Sequence, residues 1–185
     1  MTKAELKAEI KRQLEEKGSV VVAIEGPCGA GKSTLGEELA REFNGRVFHA
    51  DDYFLRPEQR TTQRLAEIGG NFDRERFFTE IAVPVMLRKD VLYRKYSCSS
   101  GTLSEELCAP FTPVTIVEGS YCMHTALGEY FDIGVFLNIS PEEQSQRIMQ
   151  RNGSVMHKRF MEEWIPMENS YFKTMTVPQR CMFLI

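Results

Sequence analysis

The sequence predicts an α/β fold: a mostly parallel sheet with helices on both faces, in one domain spanning residues 1–185. Three observations predict it. Short apolar runs rich in β-branched residues, at 19–24, 46–50, 114–117 and 133–139, read as strands buried on both faces. Amphipathic helical stripes stand between or beside them, and that alternation implies a parallel sheet covered on both sides. A chain of 185 residues, 42% hydrophobic and 26% charged, is also long enough to fold around its own core without staples.

The elements follow in order. Leu6, Ile10 and Leu14 recur every four residues among charges, an amphipathic helix closed by Gly18. The run Ser19-Val-Val-Val-Ala-Ile24 is the first strand. Leu35, Leu39 and Phe43 mark a second helix, stopped by Asn44-Gly45. Arg46-Val-Phe-His-Ala50 is the second strand, ending in Asp51-Asp52. Residues 55–72, polar and holding Pro57 and Gly69-Gly70, read as a loop. Residues 74–87 are helical in pattern, with Pro84 forcing a break or restart. A short strand at 91–96 precedes an irregular insertion at 97–113. The strand at 114–117 ends in Glu118-Gly119, and 133–139 is the next. Ser140-Pro141-Glu142-Glu143 opens a helix with an N-cap serine, proline at the first helical position and a capping-box glutamate. A further helix covers 155–170, and 182–185 reads as a closing edge strand.

Composition excludes several classes. With 23 Lys and Arg against 26 Asp and Glu, the net charge is −3, so no nucleic-acid partner is expected. The N-terminus is charged throughout rather than apolar, and the apolar run at 20–24 is far too short to span a bilayer, so no membrane partner is expected either. The 5 cysteines and 3 histidines show no metal-ligand spacing. A soluble, cytoplasmic protein with reduced thiols is the expectation.

One motif carries the chemistry. Gly26-Pro-Cys-Gly-Ala-Gly31-Lys32-Ser33 matches G-x-x-x-x-G-K-[ST] between a strand and a helix. Gly26, Gly29, Ala30 and Gly31 let backbone N–H groups turn toward phosphate oxygens. Lys32 supplies charge for the β- and γ-phosphates, the Ser33 hydroxyl suits Mg²⁺, and Thr34 adds a hydroxyl for the α-phosphate. The helix that follows presents its N-terminus to the anion. The expected ligands are ATP or GTP with Mg²⁺, since such a loop does not read the base.

Phosphoryl transfer further needs metal ligands and a group to orient the acceptor. Asp51, Asp52 and Glu118 stand at strand ends, which a parallel sheet brings to the edge that carries the loop. Asp51 has three readings: accepting the acceptor's hydroxyl proton, holding the metal through water, or capping a turn. Glu118, an acid closing a buried strand, requires a partner. Arg147 and Arg151 share one helix face and either clamp the phosphates or pair with Glu143 four residues earlier. The histidines and Trp164 read as packing or surface residues, and Cys28 as a small filler.

Together, residues 26–34, Asp51-Asp52-Tyr53-Phe54, Asn71-Phe72-Asp73, Val117-Glu118-Gly119 and the Arg147/Arg151 helix resemble the uridine kinase family of P-loop kinases. The nicotinamide riboside, pantothenate and phosphoribulokinase enzymes are similar relatives. The resemblance, over residues 19–171, implies a P-loop NTPase fold with a small helical lid. It also implies a kinase acting on a small hydroxyl-bearing molecule, with a nucleoside such as uridine or cytidine foremost and a vitamin precursor or sugar phosphate as the alternative. On this resemblance Asp51, Lys32, Arg147 and Arg151 are catalytic, and Ser33, Glu118 and Asp51 hold the metal. Tyr53, Asp73 and Tyr96 meet the acceptor. The family's Tyr-Asp-Phe segment with its following His and Arg reads here Tyr96-Ser-Cys-Ser-Ser-Gly-Thr-Leu103, keeping only the tyrosine. Two other classes are weighed. A GTPase switch would show NKxD and DxxG motifs, and neither occurs; a regulatory relative would bind nucleotide without transferring phosphate.

Overall fold

A computed structural model describes residues 2–185. Helix α1 (Lys3–Lys17) opens on a two-way capping box between Thr2 and Glu5 and ends at Gly18, whose φ of 74° suits a residue without a side chain. Strand β1 (Val20–Glu25), helix α2 (Lys32–Phe43) and strand β2 (Arg46–His49) follow, then a 3₁₀ turn over Ala50–Tyr53. Next come the short helices α3 (Thr62–Leu65), α4 (Arg74–Phe77) and α5 (Val83–Met86). The chain continues through β3 (Val91–Tyr93), β4 (Tyr96–Ser97), β5 (Thr102–Leu103), β6 (Leu107–Ala109), β7 (Val114–Glu118) and β8 (Ile133–Phe136). Helices α6 (Pro141–Arg159) and α7 (Ile165–Thr174) and strand β9 (Phe183–Leu184) complete it.

The main sheet has the order β2-β7-β1-β8-β9, and every pairing in it is parallel. β1 is central and alternates between two cores. Val20, Val22 and Ile24 pack with Leu6 and Ile10 of α1 and Leu35 and Leu39 of α2. Val21 and Ala23 face the opposite core of Phe48, Phe72, Phe77 and Tyr171. A side-chain period of two thus buries one strand on both sides. The register sets Ile24 of β1 and His49 of β2 against Glu118 of β7, so three strands end side by side.

One expectation is resolved and one corrected. At Pro84 the helix restarts rather than breaks. A single π turn over Phe78–Ala82, closed by the Val83 N–H on the Phe78 carbonyl, carries α4 into α5 past a residue that cannot donate. The same device recurs before Pro166, where Phe160–Trp164 forms a π turn closed by Ile165. The insertion at 97–113 is not irregular throughout: β3 pairs antiparallel with β6, and β4 with β5. Strands of two or three residues are too short for periodicity to register, and backbone hydrogen bonds hold them.

Gly119, just past β7, has a φ of 126°, and a Cβ there would lie 2.9 Å from the Cβ of Ala50. This close approach seats the Ala50–Tyr53 turn against the end of β7. Gly119→Ala therefore combines backbone strain with overpacking and should lower stability by about 1–3 kcal/mol, read by chemical denaturation. Wild-type stability in that variant would show that the turn does not depend on the contact.

Candidate active site

The phosphate loop leaves the central strand of the sheet. Gly26 has a φ of 143°, and a Cβ there would stand 2.5 Å from the Leu137 carbonyl oxygen, so the turn out of β1 admits only glycine. α2 then starts with Gly31 as its N-cap and no side-chain cap, which leaves its first amides open to an anion. Lys32 Nζ donates to the carbonyls of Gly26 at 2.6 Å and Pro27 at 3.1 Å, folded back over its own loop.

The C-terminal helices grip this loop from behind. The Cys28 N–H donates to Glu168 Oε2 at 3.0 Å, and the Ser120 hydroxyl donates to Glu168 Oε1 at 2.5 Å. Gln144 Nε2 donates to the Cys28 carbonyl at 2.9 Å, and Arg147 Nη1 to the Gly29 carbonyl at 2.9 Å. One turn beyond Glu168, the Tyr171 hydroxyl donates to Glu25 Oε1 at 2.8 Å, joined there by the Met123 N–H at 3.0 Å. Glu25 is fully buried and its Oε2 has no partner. Burial pushes its carboxyl up to about 7. Burial and then the nearby Glu168 charge push the Cys28 thiol up to about 12, which makes it an inert filler.

The strand-end acids line the other side. Glu118 is buried, and its Oε1 accepts from the Ser33 hydroxyl at 3.1 Å and lies 2.5 Å from His49 Nδ1. That hydrogen bond holds the His49 imidazole above its usual range despite burial. Asp51 keeps its side chain open to solvent but is walled by protein. Desolvation first, and the Glu118 charge next, raise its carboxyl above the usual 3.8. Two carboxylates that repel one another beside a hydroxyl are hard oxygen donors suited to Mg²⁺, which takes few protein ligands and completes its shell from phosphates and water. Among the described residues no cluster of three or more His, Cys, Asp or Glu side chains forms a separate metal cage. Asp52 is turned away, paired with Lys95 at 3.3 Å.

The structure brings Gly26, Gly29, Ala30, Gly31, Lys32, Ser33, Asp51, Glu118 and Arg147 to one edge, with Thr34 exposed in the first turn of α2. Arg147 pairs with Glu143 through Nη2 at 2.5 Å and reaches the loop through Nη1 on the Gly29 carbonyl. Glu143 is thereby diverted from its capping-box bond, leaving only its own N–H on the Ser140 hydroxyl. Arg151 instead turns to Asn152 at 2.8 Å. Tyr53 is buried, with its hydroxyl on Glu80 at 3.0 Å and Arg76 over its ring. Asp73 is buried as the N-cap of α4 and accepts from Gln59 at 3.1 Å. Tyr96 is buried, and its hydroxyl accepts from Arg60 Nη2 at 3.4 Å.

The same layout of sheet, loop and helices is found among solved structures. A possible uridine kinase from Bacillus stearothermophilus superposes with a TM-score of 0.69 at 18% identity, over 98% of this chain and 99% of the other. A candidate fructose transport system kinase from Silicibacter sp. TM1040 gives a TM-score of 0.72 at 22% identity, over 92% and 94%. Shikimate kinase from Bacteroides thetaiotaomicron gives 0.51 at 18% identity, over 90% and 85%. The fold is that of the P-loop kinases. No protein-family model matches the sequence, and no curated protein matches it. Among the described residues no helix of this P-loop kinase fold is long and apolar enough to cross a membrane.

Four residues at the site escaped the sequence reading: Glu25, His49, Gln144 and Glu168. Glu25 carried a usable signal, since it closes a buried strand just as Glu118 does. Glu168 and Tyr171 are three apart on one helix face, but nothing in the sequence marks the loop as their target.

Two outcomes follow. The folded Glu25 carboxyl binds a proton that the unfolded chain releases above about 4.5. Its contribution is therefore complete below that pH and lost as pH rises through about 7. Between about pH 5 and pH 8 the wild-type Tm should fall further than that of Glu25→Gln, and parallel profiles would refute the assignment. Glu168→Ala leaves a loop amide and the Ser120 hydroxyl unpaired in a buried site, which should cost about 1–3 kcal/mol per group in denaturation.

Proposed function

We propose that this chain is a magnesium-dependent kinase transferring the γ-phosphoryl group of ATP or GTP to a hydroxyl of a small molecule. The acceptor that the resemblance implies is a nucleoside such as uridine or cytidine. One observation carries the reading: an uncapped helix N-terminus and Lys32 share one sheet edge with Ser33, Glu118 and Asp51.

Each residue has a task. The loop amides and Lys32 bind the phosphates, and Ser33 and Glu118 would hold Mg²⁺, with Asp51 beside them. Magnesium, when bound, neutralises charge on the β- and γ-phosphate oxygens. Asp51 orients the acceptor hydroxyl and takes its proton. Arg147, already bonded to Gly29, stands at the loop to steady the transferring group. Positioning and charge dominate because the transition state is loose.

Acceptor-dependent ADP release tests this. Lys32→Ala should lower turnover by roughly 10²-fold or more, and chelation of Mg²⁺ should abolish it. Asp51→Asn should lower kcat by about 10²–10⁴ with little change in KM for ATP. Wild-type kcat in Asp51→Asn would remove that residue from the chemistry.

A further inference from the structure

We infer that the acceptor carries an oxyanion, a carboxylate or a phosphate ester, and that Arg60 binds it. This rests on the kinase reading above and narrows its acceptor away from neutral nucleosides.

The case begins with the arginines of one stretch. Arg56, Arg64, Arg74 and Arg76 each face a carboxylate, those of Glu58, Glu75, Glu67 and Glu80 respectively. Arg60 is exposed, and among the described residues no carboxylate lies within ion-pair distance of it. Nor is it a loose surface side chain. Its Nε donates to the Leu55 carbonyl at 2.9 Å and its Nη2 to the Tyr96 hydroxyl at 3.4 Å. Two of the five guanidinium N–H groups are thereby committed to fixing its orientation, and three remain to bind an anion.

Its surroundings place it on the acceptor side. Tyr96 lies on β4, which packs against the turn that carries Asp51. The Cys98 thiol, one residue past β4, feels the charges of both Arg60 and Asp51. Arg60 and the turn that carries the proposed base are therefore joined through the one short strand β4. The hairpin on its rim, residues 97–102, reads Ser-Cys-Ser-Ser-Gly-Thr, with no aromatic ring to stack on a base and no amide to read one. A tethered planar fork with free donors matches a carboxylate or phosphate, which it can bind through two parallel hydrogen bonds.

The test uses the full chain with Mg²⁺-ATP and four acceptors: uridine, cytidine, pantothenate as the carboxylate arm and ribose 5-phosphate as the phosphate arm. Two readouts are taken, acceptor-stimulated ADP release and the rate of iodoacetamide labelling at Cys98, with exposed Cys108 as the internal reference. Stimulation or selective Cys98 protection by pantothenate or ribose 5-phosphate is expected, and which arm responds identifies the anion. Arg60→Ala should then raise the acceptor KM roughly tenfold or more while leaving the KM for ATP unchanged, with partial recovery in Arg60→Lys. Stimulation by uridine or cytidine alone, insensitive to Arg60→Ala, overturns the inference and leaves the kinase reading intact. Absence of stimulation and of Cys98 protection in both anionic arms also overturns it. ADP release that persists in Lys32→Ala would instead overturn the kinase reading.

Discussion

Within the G-x-x-x-x-G-K-S loop the Ala30 N–H donates to the Pro27 carbonyl, and other parts of the chain hold the rest of the loop in shape. Here Glu168 takes the Cys28 N–H, Gln144 takes the Cys28 carbonyl, and Arg147 takes the carbonyl of Gly29. Two helices from the last third of the chain therefore keep the cradle in shape. Glu168 belongs to the same helix face as Tyr171, whose hydroxyl meets the buried Glu25 beneath the loop. The result is a polar seam running from the end of the central strand to α7, with most of its groups satisfied and only Glu25 Oε2 left without a partner. In such a low-dielectric seam, paired groups rigidify the fold and unpaired ones are costly.

The other half of the site is made by strand ends. β2, β7 and β1 run parallel, so His49, Glu118 and the start of the loop emerge side by side. Glu118 joins the two halves, since it accepts from Ser33 at the start of α2 and meets His49 across the register. Asp51 sits one turn beyond β2, held by the close seating of Ala50 on Gly119. The cleft is thereby lined by acids opposite the basic and amide-rich loop. That polarity is what the proposed transfer from a nucleoside triphosphate to a hydroxyl requires.

Around the acceptor side, most charged groups are already spent on structure. Arg76 caps and ties the 50–53 turn through the Asp52 carbonyl, while stacking on Tyr53. Asp73 caps α4 and holds Gln59. Arg60, held at two points and with no carboxylate in ion-pair reach among the described residues, stands out against this background.

The sequence by itself determined the architecture and the places of the G-x-x-x-x-G-K-S loop and of the acids that close the strands. β-branched runs buried on both faces, the G-x-x-x-x-G-K-S match and acids closing strands are local patterns whose physical cause lies within a few residues. They led directly to the parallel sheet, the loop, Lys32, Ser33 and Glu118. Tertiary structure alone decided what depends on distant partners. Glu168 reaches Cys28 across 140 positions, and Tyr171 reaches Glu25 across 146. It also decided that Tyr53 is buried with its hydroxyl on Glu80, that Asp73 caps α4, and that Arg147 but not Arg151 meets the loop. The helices pass Pro84 and Pro166 through π turns; the prolines mark where a hydrogen bond is lost, and only the backbone shows that a π turn absorbs it. A side chain's type limits the bonds it can make; which of them it makes depends on the long-range packing that brings a partner within reach.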